Sequence, residues 1–279
     1  MIEAIASRTL LEYAGQRFVV DRDGGTSIAI PFDPHGPQPV HFGAPAAHAE
    51  PLAGGDFIGD TRAGGSCNCE SVTLVPHCNG THTEGPGHLT RERLSVHASA
   101  LAPLYAAALV SVEAVDALGA GEASVPGPQA GDRLLTARAL AKAMESLGIN
   151  RVESMVVRSL PNDDSKLERN WMEPPLPPYF SCEAMRWLTE KGVRHLLTDL
   201  PSVDRLRDEG RLAGHRIFFG LPPGSTAAGE VGRPDATITE MVYAPASLPD
   251  GLYALSLQLA AWVGDAAPSR PVLFPLEPA

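Results

Sequence analysis

Apolar residues along the chain repeat with two periods, one typical of helices and one typical of strands. Residues 137–147 carry apolar side chains at spacings of three and four, and Thr136 is placed to cap the first turn. A strand is predicted over 153–160, a helix over 181–191 and a second strand over 193–199. Because strand, loop, helix and strand follow in this order, they predict two parallel strands joined by a right-handed crossover.

Shorter apolar or alternating runs between turn residues predict further strands. They cover residues 17–20, 27–32, 71–77, 109–114, 132–135, 214–219, 237–243 and 251–260. A short helix is predicted over 1–13, where apolar residues lie loosely on one side. This mixture of elements predicts an α/β fold in one compact domain over residues 1–279.

Three stretches rich in glycine and proline show neither period. They are a long loop over 33–65 and two loop insertions over 161–178 and 220–236. Loops as long as the first are usually functional or disordered. Because residues 33–65 lead directly into the segment with the densest candidate chemistry, they are interpreted as a flap over a site or a subunit contact. A solvated loop is the alternative.

Composition and charge favour a globular protein that binds neither nucleic acid nor anionic membranes. Hydrophobic residues make up 44% of the 279, which is enough for a full core, and the formal net charge is −11. An acidic chain lacks the basic patches that nucleic acid and anionic membranes require, so neither is expected as a partner. Residues 1–18 contain no apolar core of a signal peptide, and no apolar run is long enough to span a bilayer. A cytoplasmic location is predicted.

The four cysteines do not predict a disulfide framework. Cys67 and Cys69 are too close for an unstrained bridge within one strand, and four cysteines are few for a chain of 279 residues. A structural zinc site built from Cys67, Cys69 and Cys78 stays open, although Cys-x-Cys is not the usual ligand spacing.

The densest candidate chemistry lies in residues 77–88, with the sequence HCNGTHTEGPGH. Three histidines, a cysteine and a carboxylate are the side chains that bind a borderline transition metal such as zinc. The glycines and the proline between them exclude a helix. The segment is therefore predicted to be a strand that runs into a tight loop.

The period of a strand suggests which of these side chains converge. Residues two apart share a face, so Cys78, His82 and Glu84 would point to one side. His88 follows a Gly-Pro-Gly turn and could fold back over the same point. His77 has the opposite parity and would face away unless the strand is bulged.

These residues resemble a known family motif. Residues 80–88, GTHTEGPGH, are similar to the pattern His-x-Gly-Thr-His-x-Asp-x-Pro-x-His of the kynurenine formamidase-like "putative cyclase" family. Cys78 stands where that family has its first histidine, and Glu84 stands where it has aspartate. Both residue types can bind zinc or manganese, and His77 is the alternative replacement for the missing histidine.

Weaker matches follow later in the chain. Residues 199–204, DLPSVD, resemble the family's Asp-x-Pro-Ser-x-Asp run. His215 then falls where the family has a site histidine, at the head of the predicted strand 214–219. Glu240 falls near the family's late glutamate, with Glu230 as the competing candidate. The resemblance implies the swivelling β/β/α fold, in which the metal loop opens off a central sheet.

The resemblance also implies a function. Members of the family are mostly metal-dependent hydrolases of amides and lactams, with some cyclases and dehydratases. The candidate metal ligands here are Cys78, His82, Glu84, His215 and, from the neighbouring position, His77. His88 is the predicted acid–base residue, with Glu240 as its partner.

The expected cofactor is a divalent metal, Zn or Mn, and the expected substrate is a small molecule. Hydrolysis of an amide, formamide or lactam is the first prediction. A dehydrative cyclase and a metal-binding protein without catalysis are the alternatives. Such folds often pair through long loops, so a homodimer or homotetramer is expected.

Overall fold

Strands outnumber helices in the computed structural model, which describes residues 9–279. In that part the strands are β1 Leu10–Tyr13, β2 Gln16–Val20, β3 Thr26–Ser27, β4 His48–Pro51, β5 Ala53–Gly54, β6 Phe57–Ile58, β7 Glu70–Thr73, β8 His82–Glu84, β9 Tyr105–Glu113, β10 Val115–Asp116, β11 Arg133–Leu135, β12 Ser154–Leu160, β13 Tyr179–Phe180, β14 His195–Thr198, β15 Thr237–Glu240, β16 Gly251–Leu259 and β17 Ala266–Pro278. Its α-helices are α1 Ala137–Ser146, α2 Cys182–Glu190 and α3 Ala213–Phe219. No helix in residues 9–279 has the length and apolar character needed to cross a membrane.

Seven strands close into a ring at the centre of the fold. Their order is β17, β16, β9, β12, β14, β15 and β8, and β8 pairs again with β17. The four strands β9, β12, β14 and β15 are parallel, whereas β8, β16 and β17 run antiparallel to their neighbours. The short strand β8 therefore sits at the seam of the ring, between β15 and β17.

The parallel strands are apolar on both faces, which explains why the sequence shows continuous apolar runs there. Val157 faces a core formed with α1 and α2, where it clusters with Leu140 and Met185. Its neighbour Val156 belongs to a second core with Leu255 on the other face of the sheet. Alternate residues of one strand thus fill two cores, as the period of two requires.

The strongest predictions from periodicity are confirmed. The predicted helix over 137–147 is α1, and the Thr136 hydroxyl accepts a hydrogen bond from the Ala139 amide at 3.2 Å. The predicted strand–helix–strand unit is β12, α2 and β14, with the two strands parallel. The division into a single domain over 1–279 stays a prediction.

Two local predictions are wrong. The helix predicted over 1–13 is replaced in its described part by β1, which forms a hairpin with β2; residues 1–8 lie outside the described part. Ala14 and Gly15 form the turn with positive φ angles of 49° and 76°. The second is the strand predicted over 214–219, which is the helix α3.

Residues 33–65 contain more regular structure than expected. β5 pairs with β6 within the predicted loop, and β4 pairs with β7, which follows the loop. Strands of two to four residues are too short to show a period in the sequence. The insertions over 161–178 and 220–236 are irregular apart from 3-10 turns at Asp164–Leu167 and Ala228–Glu230.

The sequence did not indicate β17. Its prolines lack the N–H group that a strand donates, so the pattern disfavours a strand. In the structure these residues contribute their carbonyls instead: Pro271 accepts from the Ile28 amide and Pro275 from the Asp21 amide, each at 3.0 Å. This strand closes the ring against β8 and so completes the frame of the site.

A buried ion pair connects an insertion to the sheet and supports a stability prediction. Lys166 Nζ lies 2.7 Å from Asp199 Oδ2, and both side chains are buried. Replacing Lys166 with methionine leaves a buried carboxylate without its counter-charge. We expect the free energy of unfolding at pH 7 to fall by about 3–5 kcal/mol. Urea denaturation measures this loss.

The stability loss of Lys166→Met should depend on pH in one direction. Burial raises the pKa of Asp199 despite the Lys166 charge. A carboxyl whose pKa is higher in the folded than in the unfolded state destabilises the fold at a pH above its unfolded pKa. It has no such effect at a pH low enough to protonate it in both states. The loss in Lys166→Met should therefore shrink as the pH falls towards the unfolded value of about 3.9. An equal loss at pH 4 and pH 7 would contradict this explanation.

Candidate functional site

The strand β8 brings two candidate ligands to the seam of the ring. His82 and Glu84 are two residues apart and 0% and 1% exposed, respectively. Across the strand pair, Glu240 lies opposite His82. His82 Nε2 and Glu240 Oε2 are 3.5 Å apart, and a buried group of possible ligands consists of His82, Glu84 and Glu240.

Residues between the candidate ligands fix the loop. The Thr81 hydroxyl accepts from the Ile30 amide at 2.8 Å and donates to the Met241 carbonyl at 2.5 Å. At Gly87 an added Cβ would lie 2.1 Å from the Leu94 carbonyl oxygen, so only glycine fits. The motif therefore ties β8, which carries His82 and Glu84, to its neighbours.

His77, rather than Cys78, lies on the same side as His82 and Glu84, although strand alternation predicted Cys78 there. The chain turns at residues 76–78, where the Cys78 amide donates to the Val75 carbonyl, so strand alternation does not apply. His77 Nδ1 lies 3.1 Å from Glu84 Oε2. The ring therefore faces the site, whereas the parity of a regular strand predicted that it would face away. Cys78 is absent from both groups of possible metal ligands found in residues 9–279. The geometry favours His77 as the replacement for the family's first histidine.

Cys78 nevertheless lines a cavity together with His77, His88 and Glu240. Burial, followed by the charge of Glu240, raises the pKa of the Cys78 thiol to about 11. The alternative zinc site of Cys67, Cys69 and Cys78 is also disfavoured within residues 9–279, because Cys67 and Cys69 are exposed whereas Cys78 is buried.

His88 lies at the end of a 3-10 turn, Pro86–His88, and folds back as expected. Its Nδ1 is 3.9 Å from Glu84 Oε2 and 3.4 Å from Asp265 Oδ2. His77, Glu84 and His88 form the second group of possible ligands. The carboxylate that contacts His88 besides Glu84 is thus Asp265, rather than the predicted partner Glu240.

His215 reaches the site from a helix rather than a strand. The Asp204 carboxylate accepts hydrogen bonds from the Gly214 amide at 2.6 Å and the His215 amide at 3.1 Å, which starts α3. The same carboxylate contacts His215 Nδ1 at 2.7 Å. His215 Nε2 then lies 2.7 Å from Glu84 Oε1 and 3.6 Å from Glu240 Oε1. Glu230, the competing candidate for Glu240, is exposed.

Three of the imidazoles share one arrangement. In each, one ring nitrogen contacts an oxygen that can only accept: Gly80 O for His82, Asp265 for His77 and Asp204 for His215. That oxygen fixes a proton on the contacted nitrogen and leaves the lone pair of the other nitrogen directed at the Glu84–Glu240 region. These free nitrogens, with Glu84 Oε1, are buried without hydrogen-bond partners in residues 9–279.

This arrangement fits a metal ion. Ligand atoms bound at about 2.0–2.2 Å lie roughly 3 Å from one another around the ion. The contacts of Glu84 with His215 at 2.7 Å and with His77 at 3.1 Å fall near that spacing but lack the alignment of hydrogen bonds. Glu84 belongs to both groups of possible ligands, so its carboxylate can serve one ion or bridge two.

The electrostatics of the site favour a cation. Burial alone would raise the pKa of Glu84, but the charges of His88 and His215 hold it well below its usual value. Burial would likewise lower the pKa of His77, whereas contacts with Asp265 and Glu84 raise it to about 10. The carboxylates thus attract positive charge strongly. In the absence of a metal, protons on the histidines provide that charge, and a divalent ion would displace them.

Sequence reasoning missed two carboxylates that orient the histidines. Asp265 comes from just before β17, and Asp204 precedes α3 by nine residues. Asp204 lay within the run that resembles the family, but nothing local assigned it a role. Only the fold shows that both side chains hold ring nitrogens of site histidines.

Asp204→Asn tests this orienting role. The amide nitrogen cannot accept from His215 Nδ1–H, and a switched tautomer would direct an N–H group at Glu84 instead of a lone pair. We expect metal affinity to fall about 10–100-fold. Competition with a chromogenic chelator measures it, with the exposed Asp235→Asn as the matched control. Equal affinities of Asp204→Asn and wild type would remove Asp204 from the site.

Comparison with known proteins agrees with this geometry. A family model described as "Putative cyclase" matches residues 26–205. A kynurenine formamidase of Bacillus cytotoxicus is 25% identical over 159 residues, covering 55% of this chain and 61% of that protein. A kynurenine formamidase of Bacillus cereus has the same identity over 155 residues and the same coverages. The chain thus spans about three fifths of the length of these curated relatives.

Solved structures show the same fold. Isatin hydrolase A from Ralstonia solanacearum has a TM-score of 0.60 at 16% identity, covering 90% of this chain and 91% of that one. A predicted metal-dependent hydrolase from Bacillus stearothermophilus has a TM-score of 0.56 at 16% identity, covering 90% and 97%. The predicted α/β fold with a central sheet is confirmed. With a family model that matches 180 of its 279 residues, the chain belongs to the "Putative cyclase" family.

Proposed function

We propose that this protein is a metal-dependent hydrolase that cleaves the C–N bond of an amide, formamide or lactam. The observation that carries the proposal is the convergence of three oriented imidazoles on two buried carboxylates: His77 and His215 contact Glu84, and His82 contacts Glu240. The names of its relatives, kynurenine formamidase and isatin hydrolase, support the same bond type. A cytoplasmic location and a homodimer or homotetramer are part of the proposal.

His77, His82 and Glu84, with Glu240 beside them, would hold the ion. His215 is in neither group of possible ligands found in residues 9–279 and would join them through its Nε2, which lies 2.7 Å from Glu84 Oε1. Mixed imidazole and carboxylate ligands suit zinc and also manganese. When bound, a divalent ion supplies a Lewis acid for a carbonyl group and lowers the pKa of water to about 7. The chain's remaining task is to position the substrate and to move protons.

His88 is placed for the proton transfers. It is 26% exposed at the cavity, as is His77, whereas His82 and His215 are almost fully buried. Asp265 Oδ2 lies 3.4 Å from its Nδ1 and can hold a proton there, which leaves Nε2 to take a proton from water and return it to the leaving nitrogen. The weak contact of His88 with Glu84, at 3.9 Å, agrees with a role beside the ion rather than on it.

A metal-depletion experiment tests the function. We expect chelator-treated protein to be inactive on a panel of aryl formamides, lactams and cyclic imides, and zinc or manganese to restore turnover of at least one class. Product analysis should show the ring-opened or deformylated acid. Reconstituted protein that binds metal but turns over none of the panel would refute the hydrolase and favour the cyclase or binding alternatives.

A further inference from the structure

The cavity beside the candidate ligands has a second wall that comes from the long N-terminal loop. The cavity measures about 380 Å³, and His41 and Phe42 line it together with His77, His88 and Glu240. Neither residue belongs to the motifs that indicated the site. Their backbone and burial are unusual enough to require an explanation.

Phe42 occupies an unfavourable backbone position. The Ala44 amide donates to the His41 carbonyl at 3.0 Å, which closes a turn with Phe42 and Gly43 at its centre. Their φ angles are +56° and +68°, so both central residues are left-handed. Such turns favour asparagine or glycine at the first central position. A phenylalanine there that is 71% exposed gains little from packing, so the fold alone does not explain it.

His41 is the buried member of the pair. It is 6% exposed, and its Nδ1 has no hydrogen-bond partner among residues 9–279. A buried polar atom in a folded protein normally has a partner, which can be a protein group, an ordered water or a ligand. Burial lowers the pKa of His41, which keeps the imidazole neutral and supplies one donor and one acceptor.

The loop that carries these residues is held at three points. The Gln38 side chain bonds both the amide and the carbonyl of Ala47, at 2.8 and 2.9 Å, which clamps the two ends of the loop. The Val40 carbonyl accepts from the Trp171 amide at 3.0 Å. The Asn79 side chain donates to the Pro45 carbonyl at 3.0 Å, which connects the loop to the metal-binding segment. The position of His41 relative to the site is therefore fixed.

We propose that His41 and Phe42 form the substrate-recognition element of this site: the imidazole of His41 donates a hydrogen bond to a carbonyl oxygen, and the ring of Phe42 covers the flat face of a cyclic or aryl amide. The proposal rests on the proposed function and refines it. The element explains the missing partner of His41, the left-handed phenylalanine and the clamped loop together. It also assigns part of the loop 33–65 to the mouth of the site.

Binding of two small probes to the metal-loaded protein tests the element without turnover. The probes are 2-oxindole, a lactam, and indoline, which has the same rings without the carbonyl. Wild type should bind 2-oxindole more tightly. His41→Leu should weaken 2-oxindole about fivefold to tenfold, the worth of one hydrogen bond, and leave indoline unchanged. His35→Ala, an exposed histidine on the same loop, is the matched control and should change neither affinity.

Phe42→Gly separates recognition from folding. Glycine relieves the left-handed strain, so the Tm should not fall, whereas loss of the ring should weaken both probes about threefold to tenfold. Calorimetric titration and thermal melts measure these effects. The proposal is overturned if wild type does not prefer 2-oxindole, if His41→Leu affects both probes equally or neither, or if Phe42→Gly retains full affinity. Because no turnover is needed, an inactive wild type that prefers 2-oxindole would refute only the hydrolase.

Discussion

Glu84→Gln is expected to lose the bound metal and with it all turnover. Glu84 is the side chain shared by both groups of possible ligands, and its two oxygens contact His215 and His77 at 2.7 and 3.1 Å. Glutamine keeps the shape but removes the charge and one acceptor oxygen. Because changing even an outer partner of a ligand typically costs 10–100-fold, we expect metal affinity to fall by more than about 100-fold.

Metal content and activity should be measured on the same preparations of this variant. Glu230→Gln, at an exposed glutamate on the 3-10 turn Ala228–Glu230, is the matched control and should keep both properties. The variant's far-UV spectrum should match that of wild type, since Glu84 lies on a strand whose pairing does not use its side chain. A Glu84→Gln protein with full metal content would show that the ion is held by other residues.

His88→Ala should also lose turnover but, unlike Glu84→Gln, it should retain its metal. His88 lies farther from Glu84 than His77 and His215 do, at 3.9 Å against 3.1 and 2.7 Å. Its Nδ1 contacts Asp265 instead. Removing a general acid–base residue costs about 10²–10⁴-fold in rate. We expect a loss in kcat of that size, with near-stoichiometric metal and an unchanged affinity for 2-oxindole.

Chemical rescue sharpens this second prediction. Added imidazole should restore part of the rate of His88→Ala, because the side chain is partly exposed at the cavity. His48→Ala, at an exposed histidine on β4, should retain the wild-type rate. Wild-type turnover in His88→Ala would remove this residue from the mechanism, and loss of metal in the same variant would make it a ligand instead.

The sequence was most informative where function and strand period coincide. His82 and Glu84 lie two residues apart on a regular strand, so their shared face could be predicted from spacing alone. His77 could not, because the turn at residues 76–78 replaces the alternation on which its orientation was judged. A local pattern fails where the backbone leaves the regular geometry that the pattern assumes.

Contacts distant in sequence explain the remaining differences. Residues 214–219 favour a strand locally, but the Asp204 carboxylate caps their amides and starts a helix. Asp265 reaches His88 across 177 positions. His41 enters the cavity only because its loop is clamped to Trp171 and Asn79. None of these partners can be identified from spacing, because each depends on the closed ring of strands.

An anomalous-scattering crystal structure of the metal-loaded protein tests most directly whether Glu84 and the site histidines hold a metal ion. We expect a peak bonded to a Glu84 oxygen and to the free nitrogens of His77, His82 or His215, and its loss in Glu84→Gln. A metal-loaded crystal with no peak beside Glu84, or with its metal at Cys67 and Cys69 instead, would show that Glu84 is not a ligand.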